Sequence, residues 1–472
     1  MSKRAKIVAT IGPASGSEKV LEEMMHAGMD VCRINFSHSS YEQHASVINS
    51  VRVLNNKHRM FVPILADLQG PKLRIGEVEN GSCEIHTGDE LLFTTQKCMG
   101  NVNRVFMTYQ QFPKDVQPGE TILVDDGKLV FKVLETNGVD EVKTKIIHGG
   151  KLSSKKGVNL PNTKVSLPSL TEKDIQDLDF ALQNNVEWIG LSFVRSASDI
   201  IELRHRIDAT GKRAKIIAKI EKPEALLELD GIIAETDGVM VARGDLGVEI
   251  PMQEVPGIQK MIVRKCLAAS KPVIIATQMM ESMITNVSPT RAEVNDVANS
   301  VLDGADALML SGETSVGEHP AKVVEAMNKI IEHVEKTEQV FERDNPPSKD
   351  SARFLSESIC YAATTLARQS EAKAIITMTH SGFTAFKVSA NRPRAEIFVF
   401  TDNQPILNTL NLVWGVKGFY YDKYVSTDHT IADLKHKLKK EGFVQSGDRI
   451  VNVASIPISE KGGANMLKLS IV

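Results

Sequence analysis

Short runs of β-branched and aliphatic residues recur along the first two thirds of the chain, each ending in a polar or glycine-rich stretch. They read KIVATIG from Lys6, DVCRINFS from Asp30, VPILADLQG from Val62, EWIGLSFV from Glu187, AKIIAKIE from Ala214, GVMVARGDLG from Gly238, KPVIIATQM from Lys271 and ALMLSGETS from Ala307. Near-continuous apolar character suits strands covered on both faces, as in a parallel sheet. The intervening segments, such as KVLEEMMHAG and RAEVNDVANSVLDGA, carry apolar residues at helical spacing. Successive runs start 24 to 36 residues apart, with one interval of 125. The short intervals suit a strand–helix unit with short loops. Eight such units predict an α/β fold, a (β/α)8 TIM barrel formed by residues 1–70 and 168–342.

The long interval cannot be one helix. CEIHTGDELLF and TILVDDGKLVFKVLE alternate apolar and polar residues between turn glycines. They predict an inserted all-β lid over 71–167, after the third strand and on the rim where barrel chemistry gathers. At RDNPPSKDSA (343–352) the pattern breaks at a Pro-Pro linker. Beyond it, LSESICYAATTLAR, AIITM, EIFVF, TIADLKHKLKKEGF and RIVNVA alternate helix and strand, which predicts a C-terminal α/β domain over 343–472.

Bulk properties narrow the function. The 472 residues allow several domains with ample core. A net charge of −3 offers no bulk electrostatic case for nucleic acid or an anionic membrane. No apolar run approaches the roughly 20 residues that span a bilayer. The start, MSKRAKIVATIGPASG, has no long apolar core of a secretion signal. Five scattered cysteines without CxxC spacing predict reduced thiols, with neither a disulfide frame nor a zinc site. A cytoplasmic location is expected.

In a barrel, chemistry collects at the C-terminal strand ends. The second strand ends with Arg33, Asn35, Ser37 and His38, the third with Asp67, followed by Lys72 and Arg74. The fifth offers Lys219 and Glu221, whose alternation places them on one face. The sixth ends with Arg243, Gly244 and Asp245, the seventh at Thr277, and the eighth at Ser311, Gly312 and Glu313. One charged residue leaving a strand is ordinarily just solvated. Several of both signs converging on one mouth need partners or a metal. Glu221 and Asp245 favour a hard divalent ion, Mg2+ or Mn2+. The glycines of RGDLG would expose backbone N–H groups to an anionic carboxylate or phosphate. Lysine, arginine and a divalent cation are the parts that phosphoryl transfer uses.

The stretches CRINFSH, GPKLRIG, KKGVNLP, IIAKIE, VMVARGDLGVEIP, ATQMMESM and LSGETSVGEHP, in this order, resemble the pyruvate kinase family over nearly the whole chain. The resemblance implies transfer of the phosphoryl group of phosphoenolpyruvate to ADP, giving pyruvate and ATP, in a homotetramer of barrel, lid and C-terminal domains. It implies that Lys219 stabilises the phosphoryl group in flight and that Arg33 clamps it. Glu221 and Asp245 would hold the divalent ion. Gly244, Asp245 and Thr277 would line the phosphoenolpyruvate site, with Thr277 near the face on which the enol carbon is protonated. Asn35, His38, Arg74 and Lys156 would contact the nucleotide, Lys156 from the lid.

Many members use potassium beside the phosphate, and Asn35, Ser37 and Asp67 match the side chains that hold it. Potassium users typically read DTKGPEIR where this chain reads DLQGPKLR. Leu68 need not cost a ligand if the contact there is a backbone carbonyl. Lys72 replaces a glutamate. Its ammonium carries the single charge of potassium on a flexible tether, so we expect independence of K+, as in one group of the family. In the C-terminal domain, MTHSGFTAFKV places Thr379, Ser381, Gly382 and Thr384 as a candidate anion cradle, the counterpart of the loop that binds a sugar-phosphate effector in regulated members. An ordinary helix cap is the simpler reading. Phe383 stands where related loops carry a cation, and from the last loop, SIPISEKGGANMLKL, Lys461 is expected as the only nearby cation. The alternatives are a divalent-metal pyruvate aldolase or lyase on a related barrel, which lacks a β-lid, and a scaffold without catalysis.

Overall fold

The computed structural model describes residues 3–423, 426–456 and 462–472, apart from the side chain of Glu338. Eight parallel strands close into a barrel: β1 (Lys6–Ile11), β2 (Val31–Asn35), β3 (Ile64–Asp67), β4 (Trp188–Leu191), β5 (Lys215–Ile220), β6 (Gly238–Ala242), β7 (Val273–Ala276) and β8 (Ala307–Leu310). β1 pairs with both β2 and β8, which closes the ring. Each strand begins within two residues of the start its hydrophobic run predicts.

Alternation explains why these runs are apolar throughout. Val8, Val31, Leu65, Trp188, Ile217, Met240, Ile274 and Met309 fill the barrel interior. Their neighbours, among them Ile7, Cys32, Ile64, Ile216 and Val239, face the surrounding helices. Leu412 of the C-terminal domain joins the interior cluster, and the Trp188 indole N–H donates to the Thr409 carbonyl at 3.3 Å. The C-terminal domain thus seals the lower end of the barrel, leaving chemistry to the upper one.

Between β3 and β4 the chain leaves the barrel through Gly70, whose φ of +70° is left-handed. A Cβ there would meet the Phe193 ring at 2.8 Å and Ser192 at 2.9 Å, so this exit accepts only glycine without rearrangement. The inserted segment has its own core around Phe93, Phe112, Phe131, Val105 and Ile146. It forms a six-stranded sheet, antiparallel except where Glu90–Thr94 runs beside Arg104–Phe106, and a small pairing of Ser82–Ile85 with Gly150–Ser153. A one-turn helix, Phe112–Asp115, interrupts what the pattern reads as wholly β.

After the Pro346–Pro347 linker, a five-stranded sheet runs in the order β11 (Val416–Tyr420), β10 (Glu396–Thr401), β9 (Ala374–Met378), β12 (Arg449–Ala454), β13 (Met466–Ile471). Only β13 is antiparallel. Among the described residues the five cysteines are free.

Candidate active site

The centre of the barrel mouth is a compact ion cluster. Lys219 and Glu221 leave β5 on one face, and the Lys219 ammonium lies 2.9 Å from Glu221 Oε1 and 3.2 Å from Asp67 Oδ1. It also donates to Ser192 Oγ at 2.7 Å, and that hydroxyl donates onward to the Leu68 carbonyl, also at 2.7 Å. Arg33, on β2, donates from Nε to Asp67 Oδ2 at 2.8 Å and from Nη1 to Thr10 Oγ1 at 2.7 Å. Register brings these groups together. Asp67 pairs across the sheet with Asn35 on one side and Gly190 on the other. A Cβ at Gly190 would stand 3.2 Å from Asp67 Oδ1, so a glycine there leaves the carboxylate its room.

Asp67 and Glu221 are each only 1% exposed. Their electrostatics diverge. Burial alone would raise Asp67's pKa, but Lys219 and Arg33 outweigh it and hold the carboxyl below the usual range. Burial, reinforced by the negative Asp245, pushes Glu221 upward against the pull of Lys219. Burial opposes the charge on Lys219, yet Asp67 and Glu221 keep it firmly protonated. Asp67 therefore contributes stability above the ordinary carboxylate pKa and loses it as pH falls through its depressed folded value.

At β6 and β7 the geometry differs from the open N–H cradle expected. The Gly244 N–H already donates to Thr277 Oγ1 at 2.7 Å, and that hydroxyl donates to the Ala276 carbonyl at 2.6 Å. Thr277 has φ of 71° and Gln278 54°; Phe193, whose N–H donates to Glu221 Oε2 at 2.8 Å, has 55°. For a β-branched residue such a backbone is costly and concentrates at functional sites. Arg243 grips Asp296 through both terminal nitrogens at 2.7 Å and donates to the Thr277 carbonyl at 2.7 Å. Glu313 accepts from the N–H groups of Ser311 and Met280 at 2.7 and 3.1 Å. Arg243 and Glu313 thus hold loops in place.

Other predicted residues sit further out. Asn35 and Ser37 are half-buried at the end of β2, with Asn35 Oδ1 accepting from the Ser37 N–H at 3.0 Å; His38 is exposed. Arg74 donates to the Lys155 carbonyl at 2.9 Å, and Lys156 pairs with Asp125 at 2.8 Å, both within the lid. Lys72 is exposed, and its chain lines a crevice of about 40 Å³ between lid and mouth, shared with Phe193, Lys222, Asp245 and Glu249. Among the described residues its ammonium forms no ion pair, and it does not reach Asp67. Ser192, Thr10, Lys222, Glu249 and Asn159 escaped the sequence reading. Only Glu249 left a usable signal there, four residues beyond Asp245 on a helical period.

The donor set tests well against a metal. Glu221 and Asp245 are carboxylates at neighbouring strand ends, and the charge of Asp245 raises the cost of ionising Glu221, which suits a hard divalent cation. Protons and metal compete for Glu221 above the ordinary carboxylate range, so affinity falls as pH falls. We expect Mn2+ binding, followed by electron paramagnetic resonance, to weaken as pH is lowered toward the ordinary carboxylate range, beginning above that range. A flat affinity over that fall in pH contradicts the assignment.

A second cavity, of about 720 Å³, lies in the C-terminal domain and is lined by Thr379, Ser381, Thr384, Arg353, Asp402 and Ser455, among others. Gly382, at φ +83°, precedes helix Phe383–Ala390 and donates its N–H to Thr379 Oγ1 at 3.0 Å. The expectation that Lys461 is the only nearby cation is corrected here. The Arg353 guanidinium stacks 4.9 Å from the Phe383 ring centre and faces this cavity. Lys461 lies outside the described residues.

The family model for the pyruvate kinase barrel domain matches residues 2–324, and that for the pyruvate kinase alpha/beta domain matches 357–470. The chain belongs to the pyruvate kinase family. A pyruvate kinase of Mycobacterium tuberculosis is 42% identical over 468 residues, covering 99% of this chain and 98% of the relative. One of Geobacillus stearothermophilus is 41% identical over 480 residues, covering all of this chain and 81% of the relative. The crystal structure of a pyruvate kinase from Cryptosporidium parvum superimposes with a TM-score of 0.92 at 35% identity, covering 99% of this chain and 96% of that one. As a member of the family the chain is a phosphotransferase with phosphoenolpyruvate and ADP as substrates, pyruvate as product, and a divalent metal as cofactor. Among the described residues no helix is long and apolar enough to cross a membrane.

Proposed function

We propose that the barrel mouth carries out pyruvate kinase chemistry without a monovalent cation, and that Lys219 is its central group. The observation carrying this reading is the buried Lys219 ammonium, fixed by Glu221 at 2.9 Å, Asp67 at 3.2 Å and Ser192 at 2.7 Å. A positive charge so held needs no reorganisation when negative charge spreads over a migrating phosphoryl group. Arg33, fixed by Asp67 and Thr10, presents a second cation from the facing side. A divalent cation held by Glu221 and Asp245, Mg2+ or Mn2+, supplies when bound a concentrated charge for substrate oxygens. Gly244 and Thr277 line the phosphoenolpyruvate side, and the Thr277 hydroxyl, a relay from the Gly244 N–H to the Ala276 carbonyl, serves the face where the enol carbon gains its proton. Asn35, His38, Arg74 and Lys156 serve the nucleotide. For this Lys156 exchanges Asp125 for phosphate oxygens as the lid (71–167) closes and sheds water.

Lys72 replaces potassium when the substrates bind. Asp67 supports this reading: it is a buried anion at the end of β3, five residues before Lys72. Lys72 stands just past the Gly70 exit, in a turn where its N–H donates to the Gly70 carbonyl at 2.8 Å. A small rotation there and an extended side chain bring the ammonium inward. In the C-terminal domain the cradle Thr379, Ser381, Gly382 and Thr384, with Arg353 beside it, takes a sugar-phosphate effector; fructose 1,6-bisphosphate is the first candidate. The family relation also supports a homotetramer in the cytoplasm.

A lactate dehydrogenase-coupled assay with phosphoenolpyruvate, ADP and Mg2+ tests the whole reading. Turnover is expected in a buffer free of sodium and potassium, unchanged when potassium is added, with sugar phosphates titrated in the same assay. Marked potassium activation overturns the monovalent-cation reading. Absence of turnover under all conditions overturns the phosphotransferase reading, in favour of an aldolase or a scaffold.

A further inference from the structure

Glu249 is a carboxylate that the catalytic reading does not use. It is only 5% exposed, at the end of the short helix Arg243–Glu249 that carries Asp245 in its first turn. Its Oε1 accepts two bonds. One, at 2.6 Å, comes from Lys222, the residue directly after the metal-site Glu221. The other, at 2.8 Å, comes from the side-chain amide of Asn159. Asn159 belongs to the lid. It sits in the strand Val158–Asn159, paired with Thr121–Val124, beside the hairpin tip whose Gly127 faces Val248 of the same short helix. Glu249 Oε2 is buried without a hydrogen-bond partner.

We infer that Asn159, Glu249 and Lys222 form a latch in which the docked position of the lid sets the placement of the two metal-site carboxylates. The inference rests on the phosphotransferase reading for its purpose, but its geometry stands apart. Lys222 and Glu249 bond the chain just past Glu221 to the far end of the helix carrying Asp245, so this bond governs how the two carboxylates approach. Asn159 adds the lid to the same oxygen. A buried carboxylate that doubles up on one oxygen and leaves the other unmatched is not fully satisfied. Such a contact exchanges partners readily: when the lid lifts, Asn159 departs while Lys222 keeps the charge neutralised. The three are positioning residues, acting through Glu221 and Asp245.

The decisive variants are Asn159→Asp, which sets a second carboxylate against Glu249, and the exchange N159D/E249Q, which swaps amide and carboxylate and leaves Lys222 an anion to face. Two readouts independent of turnover are used on the full-length enzyme: Mn2+ affinity by electron paramagnetic resonance, and hydrogen exchange of the lid hairpin Thr121–Val124 and Leu129–Thr136. Asn159→Asp is expected to weaken Mn2+ binding about tenfold and to speed exchange in the hairpin, with the exchange variant recovering most of both, as a coupled pair does. Unchanged Mn2+ affinity in Asn159→Asp, or strictly additive losses in the double variant, overturns the latch. If Glu249→Gln alone does not fold, Asn159→Ala decides: faster hairpin exchange and weaker Mn2+ binding support the latch, and wild-type values of both overturn it. Wild-type turnover with phosphoenolpyruvate and ADP is measured alongside. If it is absent, the phosphotransferase reading fails while the two physical readouts still judge the latch.

Discussion

Lys219→Met is expected to lower turnover with phosphoenolpyruvate and ADP by about 10³-fold or more, while the chain remains folded. The rate argument is electrostatic. Methionine keeps the length and most of the volume of lysine but removes a charge that Asp67, Glu221 and Ser192 fix in one place. Neither water nor a mobile side chain reproduces a charge held without reorganisation, and a single preorganised donor to a developing anion is worth about 3–4 kcal/mol. The folding argument concerns the anions left behind. Stranding a buried charge costs about 3–5 kcal/mol when its only partner is removed. Asp67 is spared this because Arg33 still donates to its other oxygen at 2.8 Å. Glu221 is spared because burial and Asp245 already favour its protonated form, and with Lys219 gone only the Phe193 N–H opposes them. Glu221 also keeps the Phe193 N–H. Circular dichroism and a thermal melt are expected to report a folded, moderately less stable protein. Near-normal turnover in that folded protein removes Lys219 from the chemistry.

How far the sequence speaks for this site differs from residue to residue. Lys219 and Glu221 were legible as a pair because a strand alternates faces, and no packing detail was needed. The barrel strands were legible because a strand buried on both sides leaves no room for polar residues. β11 and β13 were not read as strands. VKGFY places lysine and glycine mid-strand and is only partly buried, and MLKLSI forms a sheet edge exposed on both faces, so neither shows clean alternation. Ser192 and Thr10 could not have been singled out, since a hydroxyl becomes a second partner for Lys219 or Arg33 only once β1, β2, β4 and β5 lie side by side. Arg353 escaped for the same reason. It reaches the Phe383 ring from the start of a helix about thirty residues upstream, across a contact that no local pattern encodes. The Gly244 N–H shows the opposite failure. RGDLG does announce a glycine turn at a helix start, but the partner its amide finds is the Thr277 hydroxyl.

On the tethered-cation reading proposed above, Lys72→Glu is expected to make turnover depend on potassium. Turnover falls by about 10²-fold in potassium-free buffer, the equivalent of ~2.7 kcal/mol, and recovers as potassium is added. Asp67 is buried and holds two cations, Lys219 and Arg33. Two anionic substrates, a divalent cation and these fixed charges leave a balance that one further unit charge at this corner would complete. A lysine ammonium and a potassium ion both carry that unit. They differ in where the entropy is lost, because the ammonium is tethered at high effective concentration and the ion must be recruited from solution. Glutamate reverses the tethered charge and supplies oxygen donors beside Asn35, Ser37 and Asp67, which favours potassium over a bare site. Lys72→Ala separates the two effects. It removes the charge without adding a ligand, so it should lose turnover while regaining less of it on potassium addition than the glutamate variant does. The exposed Lys72 of this structure makes the test sharp. If the side chain stays in the lid crevice during turnover, Lys72→Glu will run at wild-type speed without potassium, and the tethered-cation reading is wrong.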